Sequence, residues 1–216
     1  MILPAHQGTT RVRTALGSVA LACVWLAMLL FGGGALDRRI AEAVYAGSNP
    51  TLVTAARIFT ALGEPTVLVA AGFLVAAALW WIGRGRLAVG LLLVILIGRA
   101  LTEAQKYWIA RARPDVEPHL VLVRTSSFPS GHSASSMIFY LVLALALAGR
   151  TRWRSVAAAA ALLIVFLTGL SRVMLGVHWP SDVIGGWSFG LLWVLLTLPA
   201  AERLFGGDSR TLSKRL

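Results

Sequence analysis

The chain has 216 residues, of which 57% are hydrophobic and only 13% charged, with a mean hydropathy of +0.77. Ordinary soluble domains hold about 45–50% apolar and about 25% charged residues, so this composition counts against a conventional soluble protein and points to the bilayer. The net charge of +11 could suit nucleic acid, but the basic residues are scattered through short connections between apolar runs and do not line one polar face, which argues against a nucleic-acid partner. A basic membrane protein instead attracts anionic lipid head groups, and much of the excess sets topology.

In chain order, Arg11 and Arg13 precede an apolar run ending at Gly32-Gly33-Gly34. The run is too long for a secretory signal core and lacks a clear small-x-small cleavage site, so it reads as a retained first helix. Six spanning helices are predicted, at about residues 15–35, 64–83, 86–108, 132–149, 154–175 and 182–203. Gly83 to Arg86, Pro114 to Pro129, Gly149 to Arg154 and Gly176 to Pro180 mark the later breaks. Uninterrupted apolar runs, not short alternating segments, favour helices over a barrel. The fold class is therefore all-α, a polytopic membrane protein read as one domain over residues 1–216.

Between the first two spans, residues 37–63 are less apolar and read as one or two amphipathic helices at the interface, either a plain connector or a guide for substrate. Cys23, the single cysteine, allows neither an intrachain disulfide nor a Cys-based metal cluster and reads as packing. The final "GGDSRTLSKRL" reads as a mobile basic end. With both termini cytoplasmic, the cytoplasmic segments collect Arg11, Arg13, Arg84, Arg86, Arg150, Arg152, Arg154, Arg203, Arg210, Lys214 and Arg215, against two acids, Glu202 and Asp208. That asymmetry orients the chain by the positive-inside rule.

Three polar clusters then fall at the outer ends of helices. In "KYWIARARP", Lys106 and Arg113 are seven residues apart and share a face if the helix persists, an arrangement suited to an anion. Arg99 and Arg111 read as anchors that snorkel to head groups. In "SFPSGHSASS", Pro129, Ser130 and Gly131 turn into an apolar helix, so Ser130 and the N–H groups near Gly131 can receive an anion. His132 there can donate a proton to a leaving oxygen, although a histidine at a helix start also fits a structural role. In "SRVMLGVHWPSD", Arg172, His178 and Asp182 stand at the junction of the last two helices. A carboxylate beside a histidine orients its ring, as in a hydrolase triad, and Asp182 could equally cap the last helix.

These residues together resemble the type 2 phosphatidic acid phosphatase family, within the acid phosphatase and vanadium haloperoxidase superfamily. The pattern is K-x6-R-P at Lys106, Arg113 and Pro114, then P-S-G-H at Pro129 to His132, then S-R-x5-H-x3-D at Ser171, Arg172, His178 and Asp182. All three parts occur in order with the family spacing, in a motif-bearing core of about residues 86–205. The resemblance implies that His178 attacks phosphorus and forms a phosphohistidine while Asp182 holds its other nitrogen. It implies that His132 protonates the leaving oxygen, and that Lys106, Arg113, Ser130, Gly131 and Arg172 bind the phosphate oxygens. It implies no metal and no cofactor. The implied partner is a lipid phosphate or diphosphate, such as phosphatidylglycerophosphate, phosphatidic acid or undecaprenyl diphosphate, hydrolysed on the periplasmic side of a bacterial cytoplasmic membrane. A phosphotransferase of the same fold is the nearest alternative. A transporter or channel would instead spread its charges near the midplane. The identity of the lipid and the oligomeric state are not legible in the residues.

Overall fold

A computed structural model describes residues 5–148 and 151–205. The C-terminal basic stretch expected to be mobile lies outside these residues, as do Arg150, Asp208, Arg210, Lys214 and Arg215. Among the described residues the chain is all-helical, in the order α1 (Ala5–Phe31), α2 (Ala35–Val44), α3 (Pro50–Ala61), α4 (Pro65–Trp81), α5 (Gly85–Ile109), α6 (Gly131–Ala148), α7 (Arg154–Met174) and α8 (Pro180–Phe205). Helices α1, α5, α6, α7 and α8 are each long and apolar enough to cross a membrane. Helix α4 counts as a sixth candidate span only together with α3 across their bend; its own 17 residues extend about 26 Å at about 1.5 Å per residue. That nearly matches a hydrocarbon core of about 30 Å. The expected interfacial segment forms two helices, α2 and α3, and α3 meets α4 at an angle of 41°.

The apolar surface explains the composition. Leu16, Val19, Leu26, Leu30, Phe73, Leu74, Leu93, Leu163 and Phe166 are all exposed, far more apolar surface than a water-soluble monomer tolerates. In lipid these side chains replace water-facing polar groups and the backbone is satisfied within each helix. Cys23 also lies on this exposed surface, on α1, so the packing role expected for it is corrected. The buried centre is formed by α4, α5, α6, α7 and α8, with Leu91, Val94, Ile138, Val142, Val165 and Val194 in one continuous cluster.

Close helix contact requires small residues here, because apolar side chains gain little by leaving lipid for one another. Gly186 of α8 is the clearest case: a Cβ there would stand 2.7 Å from the Ser130 carbonyl oxygen and 3.2 Å from the Ala134 nitrogen. The backbone of α8 therefore rests against the first turn of α6. Two of the three motif segments meet at that contact.

The antiparallel packing puts the C-termini of α1, α5 and α7 and the N-termini of α6 and α8 at one end of the bundle. The opposite end carries the N-terminus of α1, the C-terminus of α8, the α4–α5 turn with Arg84 and Arg86, and the α6–α7 connection with Arg152 and Arg154. Both described ends of the chain thus share the side opposite the N-termini of α6 and α8.

Replacing Gly186 with Ala forces backbone against backbone, and overpacking of this kind costs about 1–3 kcal/mol. The expected outcome is a lower thermal midpoint in detergent, measured by a tryptophan-fluorescence melt; an unchanged midpoint would show that α6 and α8 have room to separate.

Candidate active site

Local helix-end chemistry builds the site. Helix α5 stops at Ala110, which adopts a left-handed conformation (φ 49°), a common way to end a helix. Lys106 and Arg113 therefore do not share a helical face as expected. They converge because the chain after Ala110 doubles back over the bundle end: Lys106 Nζ donates to the Ser126 carbonyl at 2.7 Å, and Arg113 Nε to the Thr125 carbonyl at 2.8 Å. Ser130 starts α6, its Oγ accepting from the Ser133 amide at 3.4 Å and its carbonyl from the Ala134 amide, the work of an N-cap. Gly176, at φ +73°, uses the backbone freedom of glycine to turn the chain out of α7. His178 follows two residues later, before Pro180 opens α8.

A cavity of about 210 Å3 opens at this end, and Lys106, Arg113, Gly131, His132, Arg172 and His178 all line it. Six of the eight site residues expected from sequence thus meet around one space. The other two stand behind it: Ser130 and Asp182 are fully buried, the first capping α6 and the second contacting His178. Among the described residues, no group of three or more His, Cys, Asp or Glu side chains gathers as a metal site would require.

The geometry around His178 fixes its tautomer. An arginine can only donate, so the 3.3 Å contact from Arg113 Nη1 makes His178 Nε2 the acceptor. Nδ1 then carries the proton and faces Asp182 Oδ2 at 3.4 Å. That oxygen also accepts from the Ser127 hydroxyl and, at 2.9 Å, from the Trp179 amide. Trp179 directly precedes α8 and Asp182 is its third residue, so this last bond also caps the helix, and Asp182 does both jobs. Burial drives the His178 pKa well below its ordinary 6.5, and nearby Lys106, Arg113 and Arg172 push it the same way. The ring is neutral, with a lone pair directed at the cationic side of the cavity.

Arg172 supplies an unsatisfied donor. Its side chain is buried, Nη1 donates to Thr60 Oγ1 at 2.6 Å, and Nε has no partner. A buried donor left unpaired costs about 1–3 kcal/mol, which an anion in the cavity would recover.

Sequence reasoning missed four contributors. Arg111, read as a snorkelling anchor, is instead the counter-ion of Asp182: Nη1 donates to Oδ1 at 2.9 Å. Its Nη2 donates to the Met28 and Leu29 carbonyls at 2.8 and 2.6 Å, which are orphan acceptors at the end of α1, and its guanidinium lies over the Phe128 ring. Arg99, also read as an anchor, pairs with Glu103 at 2.5 Å and lines the cavity. Ser127 supplies the hydroxyl on Asp182, and Glu64 contacts His132 Nε2 at 3.1 Å. An arginine two residues before the motif arginine and a glutamate between apolar runs were the available signals, but either fits an interfacial anchor equally well.

A bundle of five or six membrane-length spans, with two histidines and several cations around one cavity at one end, defines a polytopic membrane protein. The PAP2 superfamily model matches residues 86–205, more than half of the chain, and the chain belongs to that superfamily. Phosphatidylglycerophosphatase B of Bacillus subtilis is 40% identical over 121 residues, 53% of this chain and 59% of that protein. A lipid A 1-phosphatase of Rhizobium johnstonii is 35% identical over 150 residues, 63% of this chain and 57% of that one. The chain thus spans less than two thirds of the length of these curated relatives. The crystal structure of a transmembrane PAP2 type phosphatidylglycerolphosphate phosphatase from Bacillus subtilis superposes with a TM-score of 0.79 at 31% identity, covering 87% of this chain and 96% of that one.

Substituting Arg111 with Met strands the Asp182 carboxylate without its cation, and breaking one side of a buried pair costs about 3–5 kcal/mol. A marked fall in thermal midpoint, together with easier proteolysis at the end of α1, is the expected result in a detergent melt and a limited digest. Wild-type behaviour in both would contradict the tie between α1 and Asp182.

Proposed function

We propose that this chain is a membrane phosphatase that removes a phosphate from a lipid at the non-cytoplasmic face, through a phosphohistidine on His178. The observation that carries the reading is the state of His178: a neutral ring held from behind by Asp182, with Nε2 aimed into a cavity that also holds Lys106, Arg113 and Arg172. Nucleophilic catalysis needs such an unprotonated nitrogen, and phosphoryl transfer needs cations where charge spreads over the equatorial oxygens.

The substrate phosphate displaces Arg113 from Nε2 and takes its oxygens onto Lys106, Arg113, Arg172 and the Gly131 amide. Nε2 attacks phosphorus as the ester P–O bond breaks, and His132 gives its proton to the leaving oxygen. The now neutral His132 takes a proton from water, which attacks the phosphohistidine and releases inorganic phosphate and free His178. Ser130 supports this arrangement by holding the α6 N-terminus in place. Three cations neutralise the charge that a metal would otherwise meet.

The location of the cavity at the end of the spanning helices favours a substrate whose head group reaches it while its chains stay in the bilayer. Phosphatidylglycerophosphate, phosphatidic acid, undecaprenyl diphosphate and, from the relatives' names, lipid A 1-phosphate are the substrates to compare. The basic opposite end, with Arg84, Arg86, Arg152 and Arg154, supports cytoplasmic termini and a site on the outer, periplasmic side of a bacterial membrane.

Purified protein is expected to release inorganic phosphate from at least one member of that panel, with EDTA present. His178→Ala should lose on the order of 10^4-fold or more of that turnover while remaining folded. Loss of activity in EDTA restored by magnesium, or an active His178→Ala, would overturn the reading; transfer of the phosphoryl group to a second lipid without phosphate release would favour the transferase alternative.

The depressed His178 pKa gives a pH dependence of definite sign. The nucleophile is competent above its folded pKa and is lost by protonation as pH falls, so kcat/KM, corrected for ionisation of the substrate, should hold through pH 6.5 and decline only below it. Removing a neighbouring cation relieves the penalty on the imidazolium, so in Arg113→Gln that acid limb should move to higher pH. A limb that stays put or moves down would contradict the assignment.

A further inference from the structure

The corner between α3 and α4 lies outside the matched region and outside all three motifs, yet it is fastened to the site. Arg172 Nη1 donates to Thr60 Oγ1, Thr168 Oγ1 to the Phe59 carbonyl at 3.3 Å, and Tyr140 Oη to the Leu62 carbonyl at 2.7 Å. These bonds fix residues 59–62 against α6 and α7, and Glu64 follows on the cavity wall. Glu64 precedes Pro65 at the head of α4, where its side chain makes no cap bond to the backbone and Oε1 accepts from the Thr66 hydroxyl at 3.3 Å. Its Oε2 reaches across to His132 Nε2 instead, at 3.1 Å.

The other charged groups around His132 are cationic or already paired. Lys106 projects from α5, Arg172 from α7, and Arg113 from the returning segment; His178 is neutral, and Glu103 of α5 is engaged by Arg99. Every one of those cations disfavours a positive imidazole, which a proton donor must be. Glu64 is the carboxylate that opposes them.

Resting on the phosphatase reading above, we propose that Glu64 is a positioning residue for proton transfer: it holds the His132 ring by Nε2–H and stabilises its imidazolium, leaving Nδ1–H to be given to the leaving oxygen. When the P–O bond breaks, the Nδ1 proton goes to that oxygen and His132 stays bonded to Glu64 as a neutral ring. The proton removed from water in the second step returns to Nδ1. The hydrogen bond from His132 holds the Glu64 carboxyl down at about 2, so Glu64 stays ionised throughout the working range. The two histidines thereby have different partners: His178 is backed by Asp182 and faces the cations, while His132 has Glu64 at 3.1 Å.

The test compares wild type, Glu64→Gln and Glu64→Asp on a short-chain alkyl phosphate and on p-nitrophenyl phosphate, whose leaving group needs no proton. Glu64→Gln is expected to lose about 10–100-fold in kcat on the alkyl ester and much less on the aryl ester. The basic limb of its pH profile should fall by about one unit or more, and Glu64→Asp should restore part of both. Equal losses on the two esters with an unmoved basic limb would overturn the proposal. A 15N-imidazole NMR titration of His132 separates this outcome from failure of the phosphatase reading. If wild type frees no phosphate from any ester, that reading falls, while a His132 titration displaced downward in Glu64→Gln still supports the pairing and an unchanged one refutes it.

Discussion

Asp182 is a carboxylate with no solvent exposure, at the end of a membrane helix, and the rest of this end of the bundle is organised by the need to satisfy it. A buried charge is tolerable only when paired and hydrogen-bonded. One oxygen takes Arg111, and the other takes Ser127, the Trp179 amide and the Nδ1 side of His178. The partners come from three stretches of chain, at Arg111, Ser127 and His178-Trp179, so satisfying the carboxylate also assembles the site. The same bonds select the His178 tautomer that leaves Nε2 free to face the cavity.

Arg111 extends that network into the architecture. By also donating to carbonyls at the end of α1, it joins that span to the proposed nucleophile through three hydrogen-bonded links, by way of Arg111 and Asp182. Asp37 of α2 reinforces the junction by accepting from the Ser181 amide and hydroxyl and from the Gly33 amide. Part of the interfacial segment that the sequence left without a role therefore secures the start of α8. The other part, α3, contributes Thr60 to Arg172 and leads to Glu64.

Much of this was legible in the residues. Apolar run length located the long apolar helices and most of their boundaries, because lipid imposes one length scale on every span. Motif spacing gave the six cavity-lining residues. What escaped was pairing across long sequence separations: Arg111 with Leu29, Arg172 with Thr60, His132 with Glu64. An arginine near a membrane boundary has two good fates, snorkelling to head groups or pairing with a buried acid, and only the fold decides between them. Lys106 and Arg113 illustrate a different limit, since the right convergence was expected for a helical reason that the left-handed residue Ala110 removes.

The central claim is that His178 Nε2 is the atom that bonds to phosphorus, and a crystal structure with orthovanadate tests it most directly. The account predicts vanadium bonded to His178 Nε2, with its oxygens contacted by Lys106, Arg113 and Arg172. Vanadate held elsewhere, or seated in the cavity with His178 turned away from it, would contradict the account.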